Sequence, residues 1–222
     1  MNFDAIRNFL APHKTIPHTP WRAEHRWKLA PTRIAILFFG LAIFGLGDSL
    51  LVQGNIGNAP WTVFSQGLER HFGHSIGFWT LIISCFVLLL WIPLKEVPGF
   101  GTLSNILLIA TFIDIGISIF PKQHGYPMGI AFDLAGIALV GIGSSLYITC
   151  GLGPGPRDGA MTGLHRRTGV RVSRVRLGIE VTVLIIGKAL GGNLGLGTLL
   201  FALLIGESVA ISMGIVARLT SR

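Results

Sequence analysis

The chain has 222 residues, half of them hydrophobic and only 13% charged, with a mean hydropathy of +0.65. That balance excludes an ordinary soluble domain and fits a polytopic membrane protein. The net charge of +8 does not point to nucleic acid, because the basic residues collect in a terminal arm and a few loops beside apolar segments.

Residues 1–32 form a basic arm ahead of the first apolar segment. Phe3, Ile6, Phe9 and Leu10 are spaced to line one face of a short amphipathic helix, with Trp21 and Trp27 at the membrane interface. The arm resembles neither a signal peptide nor a lipidation signal, so none is expected: the first apolar segment begins late and no small-residue cleavage site follows it. Six windows approach the roughly 20 apolar residues that a spanning helix needs. They are 33–53, 76–94, 102–120, 129–150, 176–190 and 197–217, the fifth being the shortest. All read as helix, which makes the chain an all-α membrane protein, and a tail of 218–222 closes it. Cys85 and Cys150 fall inside spans and read as reduced packing residues.

With six spans and a cytoplasmic N-terminus, both termini lie in the cytoplasm and the basic residues segregate strongly. Arg7, Lys14, Arg22, Arg26, Lys28 and Arg33, then Lys95, then Arg157, Arg166, Arg167, Arg171, Arg174 and Arg176, then Arg218 and Arg222, fall inside. Only Arg70 and Lys122 fall outside, while Lys188 lies within the fifth span. This is the positive-inside pattern.

The chain repeats itself at an offset of 96 residues. Gly40, Gly45, Gly47 and Ser49 match Gly136, Gly141, Gly143 and Ser145. Gly57, Pro60, Gly67, Arg70 and Gly73 match Gly153, Pro156, Gly163, Arg166 and Gly169, and Gly99, Gly101 and Thr102 match Gly195, Gly197 and Thr198. Glycine and proline matches in loops carry more weight than apolar matches in helices, where few residue types are in use. Residues 33–120 and 129–217 are the two units. Each holds three spans, an odd number, so the second unit is inverted relative to the first, as in many secondary transporters.

Within each unit a Gly-x-x-Pro break, Gly57 to Pro60 and Gly153 to Pro156, follows the first span. Glycine costs a helix interior about 1 kcal/mol and proline about 3, whereas proline suits the first turn of a new helix. Short interfacial or re-entrant helices are therefore expected over 60–72 and 156–168, stopped by Gly73 and Gly169. Their free first-turn N–H groups suit an anion or carboxylate. Asn58, Pro60, Trp61, Pro154, Pro156, Arg157 and Asp158 are the candidate substrate-binding residues.

The segments GLGPGPRDGAMTGL (151–164), GNIGNAPWTVF (54–64) and GLGTLLFALLIGESVAISMG (195–214) resemble the YczE/YyaS/YitT family of bacterial integral membrane proteins. The similarity covers roughly residues 31–217. It implies a multi-pass protein of the bacterial cytoplasmic membrane and carries no settled biochemical activity with it.

Ionisable groups inside spans are costly and mark candidate functional positions. Asp48, Asp114, Asp133, Glu180, Lys188 and Glu207 qualify. Asp48 precedes the first break, and Ser144 is its counterpart in the second unit. Glu207 sits mid-span beside Gly206, where another helix could approach closely. Asp48, Glu180 and Glu207 are the candidate proton or ion-coupling groups. Asp133 is near its helix start, where the dipole alone favours an acid. Lys188 is positioned to snorkel.

The leading expectation is a small secondary transporter of unknown substrate, working alone or as a homodimer, with the bilayer as its other partner. The alternative is a non-transporting accessory subunit of a larger membrane complex. An enzyme is not expected: His165 is followed by arginines, the other histidines lie in the arm or outer loops, and no metal-ligand or cofactor spacing occurs.

Overall fold

The computed structural model describes Pro12 and residues 15–220 and, among them, is helical without strands. The amphipathic face expected at Phe3, Ile6, Phe9 and Leu10 lies outside the described residues. Among the described residues nine helices follow in chain order: α1 (Pro31–Gly54), α2 (Pro60–Phe72), α3 (Ile76–Leu89), α4 (Trp91–Leu94), α5 (Phe100–Ile119), α6 (Tyr126–Thr149), α7 (Pro156–Thr168), α8 (Val172–Ala189) and α9 (Leu196–Thr220).

The local chemistry sets these limits. Proline stands in the first turn of α1, α2, α6 and α7, where its missing N–H costs nothing. Ser75 caps α3 by accepting a hydrogen bond from the Phe78 N–H at 3.1 Å. Gly73 and Gly169, with φ of 76° and 72°, end α2 and α7, and each N–H donates back into its helix at 2.8 Å.

Among the described residues five segments are long and apolar enough to cross a membrane: Pro31–Gly54, Ile76–Leu94, Phe100–Ile119, Tyr126–Thr149 and Leu196–Thr220. The fifth expected span, 176–190, falls in α8 and is not among them. Arg174, Arg176, Glu180 and Lys188 interrupt its apolar run, although Leu177 and Ile185 lie exposed on its outer side.

The helix ends gather at two opposite poles. At one, residues of the arm dock on the ends of α5 and α6: Thr19 Oγ1 donates to the Thr149 carbonyl at 3.1 Å, and the Ala23 N–H donates to Cys150 at 2.9 Å. The Phe100 N–H donates to Arg26 at 3.2 Å. Arg166 pairs with Glu96, and Arg167 donates to the Pro93 carbonyl, fixing the end of α7 at the same pole. At the other pole the Gln123 N–H donates to Gln53 at 2.7 Å, Arg70 donates to the Gly191 carbonyl, and the Asn58 N–H donates to Asn193 at 3.2 Å. α8 runs between the two poles like the longer helices. From Thr19 to Arg26 the arm is thus part of the packed structure.

Helix starts recur 96 residues apart: α2 and α7 at 60 and 156, α3 and α8 at 76 and 172, α5 and α9 at 100 and 196. The contacts recur crosswise as well. The Gly101 N–H donates to the Leu152 carbonyl at 2.8 Å, and its counterpart Gly197 donates to Ile56, the counterpart of Leu152, at 3.0 Å. α1 lies along α6, with Gly47 against Gly136 and Gly40 against Gly143. A Cβ on Gly47 would sit 2.8 Å from the Gly136 carbonyl, and one on Gly136 would sit 2.7 Å from that of Gly47. Small residues permit this approach in a bilayer, where helices associate by close packing. The short helices pack on the opposite unit, α2 against α8 and α7 against α3 and α4. The indole N–H of fully buried Trp91 donates to the Pro156 carbonyl at 2.9 Å.

Candidate functional site

α2 and α7 both begin at a wall of one cavity of about 340 Å³. Its lining follows the repeat. Asp48 and Ser144, Pro60 and Pro156, Trp61 and Arg157, Thr80 and Arg176, Ser84 and Glu180, and Ile109 and Ile205 all line it, and each pair is 96 residues apart. The two proline-initiated helices present their first turns here, where N–H groups have no partner within the helix. The first α-helical hydrogen bonds of these turns come only from Val63 and Gly159, to Ala59 at 2.8 Å and Gly155 at 3.0 Å.

The charged groups are held in definite positions. The Arg157 guanidinium lies 4.7 Å from the centroid of the Trp61 ring, a cation–π contact between counterparts of the two units. The Tyr147 hydroxyl donates to Asp158 Oδ2 at 2.8 Å. Arg176 donates to Glu180 at 2.8 Å across one turn of α8. Asp48 is 3% exposed, its carboxylate has no hydrogen-bond partner among the described residues, and it shares the cavity wall with Arg157. The arrangement joins Arg157, with Asp158 beside it, and the free N–H groups of the helix starts to a buried carboxylate on α1. Such a space suits a small molecule carrying a carboxylate or other anionic group.

Seven of the sequence-stated candidates therefore meet here: Asp48, Pro60, Trp61, Pro156, Arg157, Asp158 and Glu180. Asn58 and Pro154 do not line the wall. Asn58 is buried, its amide pairing with that of Gln66 at 3.0 Å, and the Pro154 carbonyl accepts from Thr102 Oγ1 at 2.8 Å, so both brace the breaks. Glu207 is exposed and off the wall. Phe201, Ile205 and Val209 share the cavity face of α9, and two residues past Ile205 is about 200° around a helix. A Cβ on Gly206 would meet nothing within 4 Å, so the close helix approach expected there is absent among the described residues.

Two of the other candidates have local explanations. Asp114 accepts from the Ser75 hydroxyl and from the Gly77 N–H at 2.8 Å, capping α3 from α5. Lys188 is exposed in the last turn of α8.

Tyr147, Arg176, Thr80 and Asn105 line the cavity without having been singled out as site residues in the sequence. Tyr147 follows Ser144 by three residues, hence on the same helix face, and is one of only two tyrosines in the chain, which was a usable signal. Arg176 was masked by its membership of a basic loop. Cys85 and Cys150 are free thiols.

Comparisons with known proteins agree with a membrane protein of this kind. An uncharacterized Haemophilus influenzae protein is 44% identical over 206 residues, covering 93% of this chain and 94% of its own. The uncharacterized membrane protein YczE of Bacillus subtilis is 36% identical over 183 residues, 82% of this chain and 85% of its own. The uncharacterized Bacillus subtilis protein YyaS is 27% identical over 188 residues, 81% of this chain and 91% of its own. No solved structure matches the chain. The model of a family of unknown function, DUF6198, matches residues 31–214, and the chain belongs to that family of YczE- and YyaS-like membrane proteins.

Proposed function

We propose that the protein is a secondary transporter of a small molecule bearing a carboxylate or similar anion, built as a 3+3 inverted repeat in the bacterial cytoplasmic membrane. Arg157, Trp61 and the first turns of α2 and α7 bind the anionic end, and Asp48 is the proton- or cation-coupling group. The observation that carries this reading is the central cavity. It is walled by residues paired at the repeat offset and opens on two broken helices, the arrangement in which inverted-repeat transporters hold substrate.

The crosswise hydrogen bonds of Gly101 and Gly197 support a pseudo-two-fold axis between the units. The polar gathering of helix ends supports six crossings. α8 joins the same two poles as its counterpart α3, and its charged flank, Arg176 and Glu180, faces the cavity instead of lipid. The basic arm, Lys95 and Arg166 share one pole, which supports a cytoplasmic assignment for it and for both termini.

Binding is the first test, made on the purified protein with a panel of carboxylates, other small anions and neutral analogues, read by thermal unfolding. A true ligand at 100 times its Kd adds about 2.7 kcal/mol of stability. The reading requires that the response disappear in Arg157→Ala. A flat response across the panel would instead favour the accessory-subunit reading, and co-purification would then be the measurement to make.

A further inference from the structure

Asp133, on α6 and away from the central cavity, is 0% exposed, and neither of its carboxylate oxygens has a hydrogen-bond partner among the described residues. None of the described ion pairs includes it. Its surroundings are backbone drawn from three elements. A Cβ on Gly54, the last residue of α1, would meet Oδ1, and a Cβ on Gly197, in the first turn of α9, would meet both Oδ2 and the Gly57 carbonyl of the first break. Gly54 is also close to Gly129, one turn before Asp133: a Cβ on Gly129 would lie 2.7 Å from the Gly54 carbonyl. The Gly197 N–H donates to Ile56, and no described N–H or hydroxyl donates to the carboxylate.

The other unit supplies an internal control. The counterpart of Asp133 is Leu37, also 0% exposed, packed with Cys150, the counterpart of Gly54. An apolar side chain fills the equivalent place, so packing does not require a carboxylate at this position. A buried charge left alone costs several kcal/mol, and a feature that costly needs a compensating partner. A proton would still leave one carboxyl oxygen without a partner. A small cation would be ligated by the carboxylate and by the carbonyl at the broken helix, the ligand set that unwound transporter helices offer to sodium. The charge also fits: no cluster of three or more His, Cys, Asp or Glu occurs among the described residues, and one carboxylate balances one monovalent ion.

We propose that Asp133 Oδ1 and Oδ2 and the Gly57 carbonyl form a binding site for one sodium-sized monovalent cation at the end of α1. This inference does not rest on the transport reading, since the site is separate from the cavity and its test uses no substrate. Bound there, the ion would tie the first break to the starts of α6 and α9, and that break leads directly into Pro60 and Trp61 on the cavity wall.

The test uses purified full-length protein in sodium chloride or choline chloride at equal ionic strength, followed by thermal unfolding and by equilibrium binding of radioactive sodium. Wild type is expected to bind about one sodium ion per chain, with its unfolding equilibrium constant falling about a hundredfold at sodium 100 times Kd. Asp133→Asn and Asp133→Leu are expected to lose both responses, the leucine copying the packing of Leu37. Glu207→Gln, exposed and off the cavity wall, is expected to keep them. Wild type that neither binds sodium nor responds to it would overturn the site, as would a sodium response that survives in Asp133→Leu. A response lost in Asp48→Asn and kept in the Asp133 variants would move the ion into the central cavity and overturn the assignment.

Discussion

Replacing Gly47 with alanine tests the geometry that holds the cavity open. In an exposed helix interior the change would stabilise by about 0.5–1 kcal/mol, because glycine loses more backbone entropy on folding. Here the new Cβ would sit 2.8 Å from both the Gly136 carbonyl and the Val140 N–H, closer than van der Waals contact permits. Backbone cannot swing aside as a side chain can, so α1 and α6 must separate. Overpacking of this kind costs about 1–3 kcal/mol, which leaves a net loss of about 0–2.5 kcal/mol after the propensity gain. Gly136→Ala attacks the same crossing from the other side, its Cβ meeting the Gly47 carbonyl at 2.7 Å. Once the helices have moved apart for one methyl, the second meets a partly relieved contact. The double variant should therefore cost less than the sum of the singles, by about 0.5 kcal/mol or more. Gly178→Ala on α8, whose Cβ would meet nothing within 4 Å, is the reference and should be neutral or mildly stabilising. Denaturant titration in mixed micelles measures all four proteins. Should Gly47→Ala be as stable as Gly178→Ala, the close α1–α6 crossing is not the packing this chain adopts. The same perturbation bears on function, because Asp48 follows Gly47 directly and would shift with it.

Arg157→Ala removes the stacked guanidinium and is expected to lower ligand-free stability by only about 0.5–2 kcal/mol, while abolishing ligand-induced stabilisation in the thermal assay. Trp61→Ala should weaken the same response without abolishing it. Asp48→Asn should eliminate coupled uptake in proteoliposomes once a substrate is known, whereas Glu207→Gln, exposed and off the cavity wall, should transport like wild type. Tyr147→Phe removes the 2.8 Å hydrogen bond to Asp158 and is expected to cost about 1.5–3 kcal/mol, read as a lower unfolding midpoint.

The fold was legible in the sequence where glycine and proline did the signalling. Pro60, Pro156, Gly73 and Gly169 bound α2 and α7 as expected, because a missing N–H and a left-handed φ are local requirements that neighbours rarely override. α8 was harder to read, since its charges serve the cavity and spoil the apolar run by which a span is recognised. Among candidate site residues, those at the breaks could be found from spacing, but the role of a carboxylate in a helix could not. Depth along a span says how far a residue lies from water, and only the packing of neighbours says which way it faces. Glu207 and Asp133 separate on that ground. One is mid-span and exposed, and the other is near a helix start and sealed, because α1, α6 and α9 close around Asp133 on α6 and leave Glu207 on the outer side of α9.

On the proposed reading, the two units share a backbone plan and differ in cavity chemistry. Asp48 faces Ser144 in the pairing, Trp61 faces Arg157, Ser84 faces Glu180 and Thr80 faces Arg176. Most of the cavity's charge comes from the second unit, on α7 and α8, while the first contributes Asp48, an aromatic face and hydroxyls. A backbone that is symmetric about an in-plane axis can exchange the shapes of its two halves at similar energy, which alternating access requires. A substrate with two unlike ends needs the opposite property, fixed positions for unlike groups. Symmetric helix breaks with asymmetric side chains satisfy both conditions, and the Trp61–Arg157 contact is where they meet. It joins counterpart residues at 4.7 Å, so any motion that exchanges the two halves must open or re-form that stack, making its occupancy by ligand a direct bias on the conformational equilibrium.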